Sequence, residues 1–168
     1  MKNWEEKKDA SYHFSDEECK KAASKAMALL LHKDRTRSEL AGRLEREGFS
    51  GQALLEAMRY VEHFGYINDR RYVENYLMFQ KGKRSRREIF YKLSEKGISD
   101  ELVQQVMEES EYQGEEEAIE SLILKRLKGR QPEGLSYGEK GKIFSYLGRK
   151  GYEMNTVKKV FSKLDNQS

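Results

Sequence analysis

DRTRSELAGRLEREGFSGQALLEAMRYVEHFGYIND, residues 34–69, decides the fold of this chain. Leu40 and Leu44 fall one helical turn apart before Gly48-Phe49-Ser50 interrupts the pattern. Leu54 and Met58 resume it, and Gly65-Tyr66-Ile67-Asn68-Asp69 closes it. The design returns twice, Gly48 corresponding to Gly97 at an offset of 49 and Gly97 to Gly151 at an offset of 54. Around these glycines Leu40, Ile89 and Ile143 align without gaps, as do Leu44, Leu93 and Leu147. So do Phe49, Ile98 and Tyr152; Leu54, Val103 and Val157; and Met58, Met107 and Phe161. Apolar positions that recur in three copies are an internal repeat, and a repeat settles the architecture before any local reading does.

Each copy reads as helix, turn, helix. Apolar residues at i and i+4 put one stripe on one helix face. A glycine directly after the last periodic residue suits the left-handed position that ends a helix, and the apolar residue after it can pack back on the last turn. Ser50 and Ser99 then cap the next helix, and Asp100-Glu101 suit its positive end. In the third copy Glu153 stands in the serine's place, so Asn155 or Thr156 is the expected cap.

The chain has 168 residues, of which 37% are hydrophobic and 36% charged, a balance suited to a molecule with much surface. With Pro132 as its one proline, the chain is expected to be all-α, an elongated array of three tandem three-helix repeat units. The units are expected at 16–67, 68–110 and 115–165, after a flexible arm at 1–15 that carries Trp4, Tyr12 and Phe14. Ser15-Asp16-Glu17-Glu18 reads as an N-cap and acidic first turn, followed by a stripe of Ala23, Ala26, Met27, Leu30 and Leu31. Asn68 or Asp69 opens the second unit, whose first helix carries Tyr72, Val73, Tyr76, Leu77 and Phe79.

Cys19 is the sole cysteine, which excludes an internal disulfide. No apolar run approaches the ~20 residues that span a bilayer. The opening MKNWEEKKDASYHF lacks the apolar core of a secretory signal, and a cytoplasmic protein is expected.

The net charge of +3 is unevenly spread. Lys81 to Arg87 carries five positive charges in seven residues, and Glu108 to Glu120 seven negative charges and no positive one. No catalytic constellation stands out. His13, His32 and His63 lack metal-ligand spacing, and Gly138-Glu139-Lys140-Gly141-Lys142 echoes a phosphate cradle without its hydroxyl residue or preceding strand. No enzyme activity, cofactor or metal is therefore expected. What remains is basic residues among aromatics: Arg35, Arg37, Arg43 and Arg46 in unit one, then Arg70, Arg71, Lys81, Lys83, Arg84, Arg86, Arg87 and Lys92 with Tyr72 and Tyr91. Arg84 and Arg86 repeat Arg35 and Arg37 at the offset of 49, so stacked units would line up equivalent arginines that could hold phosphate or an acidic protein surface. The ordinary reading is pairing with nearby glutamates. Groove reading by a helix-turn-helix fits poorly, because the helix at 100–109 is acidic.

The stretch Arg35-Thr36-Arg37-Ser38-Glu39-Leu40, with Leu44 and Gly48-Phe49, resembles the opening of the RecX family. Gly65 to Asp69 with Tyr72 resembles that family's link between units, and Arg87, Ile89, Leu93 and Gly97-Ile98 its second unit. Gly151-Tyr152 is similar to the third. Arg84-Ser85 departs from the frequent Gly-Pro, and Val73 from the usual alanine, which bears on loop shape. The resemblance covers about residues 20–164. It implies a non-enzymatic monomer that binds RecA recombinase filaments on single-stranded DNA and restrains ATP hydrolysis and strand exchange. Nonspecific binding of single- or double-stranded DNA without RecA is the alternative. Arg35, Arg37, Arg43, Arg70, Arg71, Lys81, Lys83, Arg84, Arg86, Arg87 and Lys92 are the candidate contacts.

Overall fold

The computed structural model describes residues 12–110, 112 and 114–166, and among these there is no strand. Trp4 and the rest of 1–11 lie outside the described residues. The helices are α1 (Glu17–His32), α2 (Arg37–Arg46), α3 (Gly51–His63), α4 (Asp69–Gln80), α5 (Arg86–Ser94), α6 (Asp100–Glu109), α7 (Gly114–Leu127), α8 (Tyr137–Arg149) and α9 (Met154–Asp165). A 3-10 turn, Pro132–Gly134, precedes α8. The chain divides into two compact units, 1–72 and 73–168, with the division inside α4.

The repeat governs burial. Every repeated apolar position is buried except Phe49 and Leu54, which pack half-buried against the core of the first unit. Gly48, Gly97 and Gly151 have φ of 86°, 73° and 86°, the left-handed backbone expected of them. The amides of Ile98 and Tyr152 then reach back to the carbonyls of Leu93 and Leu147, both at 3.1 Å, which closes those helices as Schellman turns. Ser50 and Ser99 accept from the amides of Ala53 and Leu102 at 3.3 Å, and Asn68 accepts from Arg71 at 3.0 Å.

In the first unit α1 packs mainly against α3. Small residues build that contact: Ala22, Ala23 and Ala26 on α1 and Ala53 and Ala57 on α3 share one buried cluster. Small side chains let helix axes approach closely. The corner between α2 and α3 is tied to α1 by Glu18, whose carboxylate accepts from the amide and hydroxyl of Ser50, each at 2.8 Å. Thr36, fully buried, forms a capping box with Glu39 at the start of α2.

Several local expectations are corrected. Asp16, not Ser15, caps α1, accepting from the amide of Cys19 at 2.8 Å. Ser15 instead donates its amide to Glu56 at 3.0 Å. Tyr12 and Phe14, placed in the arm expected over 1–15, pack against Tyr60 with ring centres 5.0 and 5.3 Å away. Leu31 is 58% exposed, because it lies one residue past the edge of the sector that buries Cys19, Ala22, Ala26 and Ala23. Phe79 is 64% exposed because it lies two residues past Leu77, on the face of α4 opposite the buried stripe of Val73 and Leu77. Neither Asn155 nor Thr156 caps α9: Glu153 occupies the cap position and its side chain makes no capping bond.

The second unit holds two helical triplets. In one, α5 packs on α6 and buries Ile89, Leu93, Val103 and Met107. In the other, α9 packs on both α7 and α8 around Ile119, Ile123, Leu147 and Phe161. The third copy's middle helix is longer at its start: α8 is capped by Ser136, whereas Ser85, the cap of α5, aligns by offset with position 139. Two glycines, Gly138 and Gly141, sit within α8 at ordinary helical φ, and a Cβ on either would meet nothing within 4 Å. Each costs about 0.5–1 kcal/mol relative to alanine.

Candidate functional site

The basic run at 81–87 links α4 to α5, and the second unit folds its own acidic segment onto it. The turn is held by Gly82, whose amide donates to the carbonyl of Gly114 at 3.2 Å. Ser85 is fully buried; it caps α5 through the amide of Glu88 and donates its hydroxyl to the carbonyl of Lys150 at 2.9 Å. The departure at Ser85 thus makes a contact between the two triplets rather than a change of loop shape alone. The Arg86 amide donates to Glu115 at 3.1 Å, and its guanidinium donates to the carbonyl of Tyr112 at 3.2 Å. Lys81 pairs with Glu117 at 3.4 Å. Arg84 pairs with Glu88 and donates to Gln80 at 2.9 Å. Lys83 donates to the carbonyl of Phe79 at 2.7 Å, on the last turn of α4.

Arg87 is exposed and makes no hydrogen bond or ion pair among the described residues. Lys92 pairs with Glu95 at 2.8 Å, which raises the lysine's pKa and lowers the glutamate's. Of the five cations in the run, Arg87 alone is thus without a partner among the described residues.

In the first unit Arg37 pairs with Glu62 at 2.5 Å and donates its amide to Asp69 at 2.7 Å. Arg43 pairs with Glu47 at 3.0 Å, and Arg46 donates to the carbonyl of Gly42 at 2.8 Å. Arg71 is exposed and reaches the carbonyl of Gly65 at 3.2 Å, while Arg70 is half-buried and partnered. Arg35 is half-buried with its Nε buried and unpartnered. The motif repeat is structural within each copy: Arg35-Thr36-Arg37 and Arg84-Ser85-Arg86 each place two arginines around a buried hydroxyl that caps a helix. The third copy has Leu135-Ser136-Tyr137 there and no arginine.

Around the run lie groups that reading the sequence missed. Glu115 is half-buried, and burial pushes its carboxyl above the ordinary range despite Arg86. Tyr112 is buried with its hydroxyl unpartnered, and a Cβ on Gly114 would sit 2.7 Å from that oxygen. Burial pushes Tyr152 up to about 12. Glu116 is held at about 2 by hydrogen bonds from Lys159 and Lys163, each at 2.7 Å. The available signal was the opposite sign of 81–87 and 115–117, which stand at the two ends of the α5–α6 pair.

Among the described residues there is no cluster of His, Cys, Asp and Glu that could hold a metal, and no helix is long and apolar enough to cross a membrane. Three glycine-ended helical copies, two of them with arginines at a helix start, define a helical-repeat protein. The family profile described as RecX, second three-helix domain, matches residues 68–107. The regulatory protein RecX of Caldanaerobacter subterraneus subsp. tengcongensis is 30% identical over 157 residues, covering 90% of this chain and 74% of that protein. That of Trichlorobacter lovleyi is 27% identical and covers 82% and 92%. The chain belongs to the RecX family. The crystal structure of RecX from Lactobacillus salivarius shares the fold, with a TM-score of 0.75 at 22% identity over 88% of this chain and 97% of that one.

Proposed function

We propose that this protein modulates the RecA recombinase, binding RecA filaments on single-stranded DNA and lowering ATP hydrolysis and strand exchange, and so tempering recombination and the SOS response. The observation that carries this reading is family membership along 90% of the chain. Residues 16–67, 68–110 and 115–165 act as successive three-helix units of a monomer in the bacterial cytoplasm. The contacts are charge-based, and the exposed cations Arg43, Arg71, Lys81, Lys83 and Arg87 carry them. Arg35, Arg84 and Arg86 are half-buried and serve mainly to fix helix starts.

The test is to titrate the protein into RecA on single-stranded DNA and follow ATP hydrolysis. The rate should fall, and an unchanged rate at saturating protein refutes the reading. Lys83→Glu with Arg87→Glu should weaken inhibition without loss of helicity, because neither side chain pairs with a carboxylate.

A second reading, nonspecific DNA binding without RecA, is favoured by cations that lack a carboxylate partner. Affinity would then fall with salt, with a log–log slope of about −0.7 per contacted phosphate on single strands. No binding at low salt disposes of it.

A further inference from the structure

Beyond Arg87, several cations that face open solvent without a hydrogen bond or ion pair among the described residues lie on the third copy. A concavity of about 550 Å³ lies between α7 and α8, lined by Arg126, Gly138, Gly141, Lys142, Ser145 and Arg149. All six are exposed. Lys142 and Arg149 make no hydrogen bond or ion pair among the described residues, in contrast to Lys81, Arg84 and Arg86. Arg126 makes none either; its guanidinium lies over the ring of Tyr146, 3.6 Å from the centre, which holds the planar group in place.

Two of the lining residues are glycines within α8. Gly138 and Gly141 weaken the helix, yet neither has a left-handed φ and neither avoids a neighbour, because a Cβ would meet open space. Neither turn geometry nor internal packing accounts for them. A glycine in that position admits a ligand close to the main chain. Tyr137 stands beside them at 95% exposure, four residues before Gly141 and eight before Ser145, hence along the same side of the helix. From Tyr137 to Arg149 that side runs about 18 Å at the ordinary helical rise.

We propose that this groove binds single-stranded nucleic acid. Arg126, Lys142 and Arg149 take the phosphates, Ser145 donates a hydroxyl, the two glycines let the sugar edge approach, and Tyr137 stacks on a base. A cationic track beside an exposed aromatic is the arrangement that holds single strands without regard to sequence. An acidic protein segment would use the cations alone or with the ring, whereas a single strand uses both together, phosphates on the cations and a base on the ring. The inference requires only that the chain meets single-stranded nucleic acid, not that it inhibits RecA.

The experiment measures binding of fluorescein-labelled oligothymidine by the full chain across a salt series, with no RecA present. Lys142→Glu with Arg149→Glu should weaken binding at least tenfold and flatten the log–log slope by about 0.7 for each phosphate no longer held. Lys128→Glu with Lys158→Glu changes the net charge equally outside the groove and should leave most of the affinity. Tyr137→Ala should cost about tenfold on oligothymidine and nothing on an abasic strand. Gly141→Ala should raise the melting temperature while weakening binding, a pairing that a structural glycine would not give. Unchanged affinity in the groove variant overturns the proposal, as does an equal loss in the charge-matched control. Equal weakening toward poly-glutamate also overturns it, in favour of an acidic protein ligand.

Discussion

Gly48 and Gly151 share a backbone conformation, φ 86°, but not surroundings, and the pair can be used as a gauge of packing between the triplets of the second unit. A Cβ on Gly48 would meet nothing within 4 Å. Gly48→Ala should therefore lose only what left-handed backbone costs an L residue, about 1–2 kcal/mol. A Cβ on Gly151 would lie 3.1 Å from Cδ of Arg87, 3.2 Å from its Cβ and 3.2 Å from the Ser85 hydroxyl. Overpacking of that kind typically adds about 1–3 kcal/mol, which brings Gly151→Ala to roughly 2–5 kcal/mol in all. Urea unfolding followed by far-ultraviolet circular dichroism gives both numbers. Because the chain has two compact units, each variant is read from the transition of its own unit. Arg87→Ala in the Gly151→Ala background removes Cδ and should return part of the excess. Equal losses at the two glycines would refute the claim that the start of α5 packs against the end of α8.

Ser85→Ala should cost more than Thr36→Ala by urea unfolding; both lose a cap of about 1 kcal/mol, but Ser85 also leaves the Lys150 carbonyl without its donor. Glu115 and Glu116 should respond to acid in opposite senses. Glu115 has a raised pKa, so its share of stability is complete below its ordinary value of 4.5 and is lost as pH climbs past the raised one. Glu115→Gln should thus be neutral or stabilising at pH 7, with its advantage shrinking as the solution is acidified through that region. Glu116 has a pKa of about 2, so its bonds to Lys159 and Lys163 help above 4.5 and fade between 4.5 and about 2. Glu116→Ala should flatten stability across that window, by less than about 1 kcal/mol because these pairs are solvent-exposed. Thermal melts at stepped pH check both.

The copies were legible because their information is local. Leu40, Leu44 and Gly48 state a helix and its end within nine residues, and their recurrence multiplies a weak signal. Burial was less legible: Leu31 is apolar but just outside the buried sector of α1, Phe79 is apolar on the face of α4 opposite Val73 and Leu77, and only the partner helices decide which face is covered. The cap of α9 failed because Glu153 starts the helix with backbone geometry alone. For the candidate site, the run at 81–87 was visible as charge, but its engagement was not. Glu115 and Tyr112 are separated from Arg86 by 29 and 26 residues, and no periodicity relates them. The groove on α8 is half visible in the sequence: Gly138, Gly141 and Lys142 read as an incomplete phosphate loop, while Arg126 joins them only through the packing of α7.

The bonding of the 81–87 run to the protein's own carboxylates and carbonyls has a bearing on discrimination. An incoming polyanion exchanges one set of oxygen acceptors for another of like character, so most of the attraction cancels. What survives depends on whether the newcomer's oxygens match positions already dictated by Glu115, Glu117 and the Tyr112 carbonyl. Such a loop should answer to bulk polyanions such as heparin less than its five charges suggest, and chiefly through Arg87.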